Sequence, residues 1–211
     1  QLSSAPDATN MSIDPENRLL WRATPRRLEA ETIRDAILAV SGQLLLEKPT
    51  GSSVTSLGDK LIDNISPEKL QPPSTHRSVY LPVIRDYVPE LFDLFDFPSA
   101  SLVSGRRSVT SVPAQALYLR NSAFIAEQTQ HAARRLLAAP EATNNAERTD
   151  LAVRWALARG ISEDEQRGAL DLVEQIQQTA SPDDSPDVDS WAAWFYTLFN
   201  TAEFRYLVDI Q

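Results

Sequence analysis

The amino-acid sequence predicts a mainly α fold, an irregular helical bundle with one long loop and at most a short extended segment. Three observations carry that expectation. From residue 113 onward, apolar side chains recur at helical spacing in one segment after another, separated by short turns. Start and stop signals flank those segments, such as Pro at a first helical position, Gly just beyond an end and a Ser-x-x-Glu capping box. No repeated strand and helix alternation exists from which a parallel sheet could be built, and no solenoid-length repeat is visible.

Taken in order, residues 1–23 hold Pro6, Pro15 and one apolar cluster, Leu19, Leu20 and Trp21, and read as an irregular lead-in that docks through that cluster. A helix follows, with Thr24 as N-cap, Pro25 at its first position and Gly42 just past its end. Ala30, Ile33, Ile37 and Val40 share its buried face, and a ladder Arg27, Glu31, Arg34 runs beside it at i,i+4 and i,i+3 spacing. Residues 43–75, with Pro49, Gly51, Gly58, Pro67, Pro72 and Pro73, form a long surface loop or insertion with room for a short helix at 59–65. Residues 77–83 read as extended, because Val79 and Val83 are β-branched and Pro82 restricts Leu81.

Residues 87–97 make a short amphipathic helix anchored by Leu91, Phe92, Leu94 and Phe95, with Pro89 in its first turn. Helices then follow at 113–119, 122–138, 147–159 and from Ser162 to about 178, with Asn121 as a boundary and Gly160 as a stop. Residues 181–189 are a polar hinge. In the last helix Trp191, Trp194, Phe195, Leu198 and Phe199 fall at i, i+3, i+4, i+7 and i+8, a narrow face that reads as core rather than as a sugar-stacking platform. The whole chain, 1–211, is expected to be a single helical domain.

Composition narrows the chemistry. The 211 residues are 42% hydrophobic and 23% charged, ordinary for a globular fold, and include no cysteine. That excludes disulfides, thiolate metal sites, a Cys nucleophile and Cys-x-x-Cys-His haem attachment within these residues. The net charge is −9, from 29 acids against 17 Arg and 3 Lys, and the halves 1–105 and 106–211 carry nearly the same balance. Nucleic acid is therefore not an expected partner, since counterion release needs a basic face. No apolar run approaches the ~20 residues of a membrane span. The polar opening at Gln1 suggests a mature form or a piece of a longer polypeptide.

Few residues combine into familiar chemistry. His76 and His131 lack a second ligand at i+3 or i+4, so each reads as a surface or hydrogen-bonded histidine and no metal site is expected. Asp183, Asp184, Asp187 and Asp189 lack the glycine and closing Glu of a calcium loop. There is no Gly-x-Ser-x-Gly elbow and no phosphate-cradling glycine cluster. Glu90, Asp93 and Asp96 sit close together, and Asp93 with Asp96, or Asp86 with Glu90, can share a helical face, which more often solubilises a helix than hydrolyses a glycoside. The arginines offer more. Arg27, Arg34, Arg77, Arg85, Arg106 and Arg107 are candidate ligand-binding residues for an anion such as a sulfated or carboxylated glycan, because guanidinium matches planar oxyanions in a bidentate manner. The alternative is that they pair internally with the excess of acids.

Five blocks together resemble one family. They are Asn17-Arg18-Leu19-Leu20-Trp21-Arg22; the run 26–36 opening on Arg26-Arg27-Leu28-Glu29; Arg77-Ser78-Val79-Tyr80-Leu81-Pro82; Phe95-Asp96 with the run 106–117 opening on Arg106-Arg107-Ser108-Val109; and Leu198-Phe199-Asn200-Thr201-Ala202-Glu203-Phe204. In this order they resemble the planctomycete-specific C-terminal domain of unknown function found in large exported proteins. The resemblance implies an exported, periplasmic or cell-surface setting and upstream domains of the same polypeptide as partners. It also implies that a cytochrome c domain, and with it any haem c, lies upstream, with no cofactor in this chain. The family supplies no catalytic residues to carry over. The function expected is a helical docking or ligand-binding module. The alternative is part of a polysaccharide-degrading or oxidising enzyme with an arginine-lined site. In either case the charged blocks are expected to meet as a buried ion-pair network or as an anion-facing cleft.

Overall fold

A computed structural model of the chain describes residues 7–52, 54–55, 73–84, 87–99, 101–179 and 185–207. Among them are eight α-helices and one two-stranded ribbon, so the mainly α expectation holds. The helices are α1 (Ala8–Ile13), α2 (Ala30–Ser41), α3 (Glu90–Leu94), α4 (Pro113–Asn121), α5 (Ala123–Leu137), α6 (Asn145–Leu157), α7 (Glu163–Thr179) and α8 (Pro186–Asn200). Strands β1 (Arg26–Arg27) and β2 (Tyr206–Leu207) pair antiparallel, Arg26 opposite Leu207. Among the described residues no helix is long and apolar enough to cross a membrane. The chain forms two compact units, Gln1–Leu28 with Ala132–Gln211, and Glu29–His131, the division falling within α5.

The first unit rests on α6, α7 and α8, each of which packs on the other two. The aromatic face of α8 is core, as its spacing predicts: Trp191, Phe195 and Phe199 are buried, and Phe199 meets Phe204 with ring centroids 4.9 Å apart. Val153 and Leu157 of α6 and Ala169 and Val173 of α7 are buried with them. Removing one such ring would cost about 3–5 kcal/mol through lost burial and the cavity left behind. The capping box opens α7 as written in the sequence: Ser162 Oγ accepts from the Glu165 amide at 3.3 Å, and the Glu165 carboxylate accepts from the Ser162 amide at 3.0 Å.

Two expectations fail in this unit. Leu19 and Leu20 do not dock but stand 77% and 66% exposed. The Asp14 carboxylate captures the Arg18 and Leu19 amides while Asn17 bridges to Arg22, and the resulting tight loop turns both leucines outward. Of the expected polar hinge, residues 186–189 belong to α8, and 181–184 lie outside the described residues. Pro186 sits at the start of α8, with Asp187 and Asp189 in its first turn, where carboxylates favour the positive end of the helix dipole.

The second unit is organised by α2. Ala30, Ile33, Ile37 and Val40 are buried, and Gly42 closes the helix in the left-handed conformation at φ 75°, donating to Ala39 and Leu38. Its start differs from the reading: α2 begins at Ala30, and Arg26–Arg27 is a strand rather than a first turn. Long-range pairing with Tyr206–Leu207 outweighs the local signal of Thr24-Pro25, which is only a weak prior for helix. Residues 77–83 are likewise not simply extended. Ser78–Tyr80 makes a single 3-10 turn, after which Leu81 takes the extended backbone that Pro82 requires.

The two described ends of the 43–75 loop are tied: the Leu45 amide donates to Thr75 O at 2.9 Å, and His76 Nδ1 lies 3.1 Å from Glu47 O. The short helix expected at 59–65 lies outside the described residues. Helix α3 is shorter than the 87–97 reading, with Pro89 as its N-cap, and buries Leu91 and Phe92, as does Phe95 just beyond it.

Candidate functional site

Helix α2 positions the polar chemistry of the second unit. Three and four residue steps place Arg34, Leu38 and Ser41 along one stripe and Glu31 and Asp35 along the next. On the second stripe, Glu31 accepts two hydrogen bonds from Arg107, each 2.8 Å, and Arg107 also lies 3.2 Å from Glu29. The guanidinium rests over the Phe97 ring at 5.4 Å, and Phe97 stacks on Phe92. Burial pushes the Glu31 carboxyl up, yet the Arg107 hydrogen bonds and charge outweigh it and hold it below its ordinary value. The same hydrogen bonds hold Arg107 above its own.

One turn on, Asp35 Oδ1 accepts from the Ser78 amide at 2.8 Å and the Ser78 hydroxyl at 2.6 Å, and Oδ2 lies 3.9 Å from Arg77 Nε. These contacts pin the 3-10 turn to the helix. A further clamp joins 95–96 to 106–117: the Asp96 carboxylate accepts from the Thr110 amide and hydroxyl, and buried Gln115 donates to Leu94 O at 2.9 Å and to Thr110 O at 3.2 Å. Thr110 is thus engaged by Asp96 and does not cap α4, whose N-cap is Val112.

Arg34 and Leu38 of the first stripe line a cavity of about 530 Å³, and Ser41 reaches it through Gln128. Leu38, Pro73, Leu81, Pro82, Pro89 and Phe124 supply apolar wall, and Arg34, Gln43, Gln128, Glu127 and His131 supply polar groups. Both the volume and this mixture of apolar wall with few polar groups suit a small organic ligand. Arg34 is 8% exposed. Its Nη1 donates to His76 O at 3.0 Å and Ser78 Oγ at 3.1 Å, and its Nη2 donates to Ser74 O. Burial lowers its pKa, and the charge of Asp35, 3.5 Å away, only partly offsets that. On α5, Gln128 is 4% exposed and its Oε1 lies 2.7 Å from Ser41 Oγ.

The six arginines singled out in the sequence are dispersed. Arg34 lines the cavity, while Arg77 and Arg107 line a smaller recess with Glu31, Asp35 and Phe97. Arg106 is exposed. Arg27 lies buried in β1, in the other unit, so it does not stand one helical turn before Glu31. Arg85 lies outside the described residues. Of the two forms expected for the charged blocks, the Arg107 and Asp35 contacts make an ion-pair network, but a part-exposed one rather than a buried one.

The other signals resolve simply. His131 lies 3.9 Å from Glu127 at the cavity mouth. Among the described residues no group of three or more His, Asp or Glu side chains gathers as metal ligands. In the first unit, Arg159 is held by Glu165 at 2.7 Å and Glu203 at 2.6 Å. Sequence reasoning missed Gln128. Its signal was available: an amide on the stripe Ile125, Gln128, Ala132, Leu136, where every neighbour is apolar and buried.

One family model matches residues 1–173, that of PSD1, a protein of unknown function (DUF1553). No curated protein and no solved structure matches the chain. The match covers most of the sequence, and the chain belongs to this family of unknown function.

Proposed function

We propose, from membership of this family and the geometry of the second unit, that the domain is a binding module whose site is the cavity beside α2, and that it holds a small ligand without transforming it. The observation that supports this most is the composition of that cavity, a mostly apolar space of about 530 Å³ with buried Arg34 and Gln128 in its wall. Arg34 and Gln128 each use part of their hydrogen-bonding capacity on the protein and keep further donors unused among the described residues, and a buried donor without a partner costs about 1–3 kcal/mol. The ligand would supply those partners.

In the wider reading the module belongs to an exported multidomain polypeptide of planctomycete type, in which upstream domains are its partners and a cytochrome c domain carries haem c. The five sequence blocks support that setting, and the sequence before Gln1 tests it: a Cys-x-x-Cys-His motif there is expected, and its absence would remove the redox association. A glycan role would draw instead on the recess holding Arg77 and Arg107, where half-exposed Arg77 is 3.9 Å from its nearest carboxylate. Sulfated and carboxylated glycans tested on the full chain and on Arg77→Ala decide that second reading, which falls if neither binds.

The cavity reading is tested by ligand-observed NMR with neutral fragments such as indole, cyclohexanol and benzamide. Ala123, exposed at the mouth, is replaced by Trp to fill it. Saturable binding by the native chain, lost in Ala123→Trp at unchanged melting temperature, is the expected result. Equal binding by both proteins would reject the site.

A further inference from the structure

The hydrogen-bond inventory of the cavity wall says what kind of group belongs there. Ser41 has one hydroxyl proton and two acceptors in range, Gln128 Oε1 at 2.7 Å and Leu38 O at 3.0 Å. Leu38 O already accepts from the Gly42, Gln43 and Leu44 amides, so the proton goes to Gln128. That fixes the amide: its oxygen is occupied, and its NH₂ group has no partner among the described residues. Arg34 has the same surplus. Three of the five guanidinium N–H groups are used, by His76 O, Ser78 Oγ and Ser74 O, which leaves two, Nε–H included, without a hydrogen-bond partner among the described residues.

Charge is unbalanced in the same direction. The acceptors on Arg34 are neutral, and among the described residues its nearest carboxylate, Asp35, is shared with Arg77 and with both donors of Ser78. Asp35 is not part of the lining, and Glu127, the acid that is, is 67% exposed and stands beside His131 at the mouth. Arg34 and Ser41, against which Gln128 sits, are seven residues apart on α2, about 10 Å along the axis. Leu38 lies between them, with Leu81, Pro82, Pro89 and Phe124 as wall.

We propose that this cavity takes the carboxylate of an apolar acid of medium chain length, the carboxylate accepting from Arg34 and the chain lying along Leu38 and Phe124. This rests on the binding-module reading and adds the ligand class to it. A sugar acid fits less well, because its hydroxyls would each need a partner and the wall is mostly apolar.

Calorimetric titration of the full 211-residue chain with octanoate, octanamide and 1-octanol tests the proposal. Octanoate should bind one per chain, at least tenfold tighter than either neutral analogue. Ala123→Trp should abolish binding, whereas Gln128→Leu, which changes the wall about 10 Å from Arg34 beside the far end of the chain, should not weaken octanoate; a several-fold loss there would overturn the placement of the carboxylate at Arg34. Arg34→Met risks the fold, so the carboxylate requirement is read on the native chain from the three ligands alone. Equal affinity for all three would overturn the acid assignment while leaving the cavity as a binding site. Failure of all three, together with no neutral-fragment binding, would remove both readings. Galacturonate binding tighter than octanoate would overturn the apolar chain.

Discussion

Two arginines, one in each unit, show how differently the same side chain can be held. Arg159 in the first unit is enclosed by carboxylates: Glu165 accepts from both Nη atoms at 2.7 and 2.8 Å, and Glu203 accepts from Nε at 2.6 Å and Nη2 at 2.8 Å. Its charge is over-compensated, which holds its pKa above the ordinary value, chiefly through the Glu203 and Glu165 hydrogen bonds. Arg34 in the second unit is more buried, yet among the described residues it is bonded to backbone carbonyls and one hydroxyl, with a single shared acid nearby. The first arrangement is a closed structural lock. The second leaves donors and positive charge over, which is the arrangement a binding site needs.

The comparison can be broken most severely at Arg34. Arg34→Met strands the carbonyls of Ser74 and His76, the Ser78 hydroxyl and part of the Asp35 charge, and should cost about 3 kcal/mol in urea unfolding. A loss below about 1 kcal/mol would mean the loop 74–78 is held by other contacts. Arg159→Met should cost about 2 kcal/mol, less because all three groups of the triad keep partial access to water. A larger loss at Arg159 than at Arg34 would invert the ranking argued from burial.

Acid separates the two sites without a mutation at either arginine. Glu165 is held at about 2, well below its ordinary 4.5, chiefly by its hydrogen bonds from Arg159. A depressed carboxylate contributes stability that is full above about pH 4.5 and is lost as pH falls toward 2. After allowance for its 38% exposure this amounts to about 1–2 kcal/mol. Unfolding followed from pH 5 to pH 2 should show that loss in the native chain and a shallower slope in Glu165→Gln. Identical slopes would exclude the triad as the source. The smallest effect sharpens the reading of the doublet. Arg107→Ala should cost about 1 kcal/mol through its Glu31 and Glu29 contacts, whereas exposed Arg106→Ala should change stability by less than about 0.5 kcal/mol.

Much of the fold was legible. The α8 face at Trp191, Phe195 and Phe199, the α7 capping box and the Gly42 stop follow from spacing and capping that act within four residues. The start of α2 was not legible, because the strand at Arg26–Arg27 exists through a partner some 180 residues away in sequence. Nor was the direction of Leu19 and Leu20, which depends on a side-chain network formed by Asp14 and Asn17. Of the site, Arg34 was named from the sequence, but as one member of a cluster of six that the fold disperses. Gln128 could have been found as the one amide on an otherwise apolar stripe.

The helical class, the helix ends set by caps and glycine, and the apolar faces follow from residue order alone, because each is a local rule of backbone geometry and burial. Which arginine meets which acid is instead fixed by long-range packing: Arg107 finds Glu31 across 76 residues, and Arg159 finds Glu203 across 44. Attraction between charges carries no address, so any of 17 arginines can pair with any of 29 acids until apolar packing places them. The cavity is likewise tertiary, since Ser41 and Gln128 meet across 87 residues and the surplus of donors exists only once both are in place.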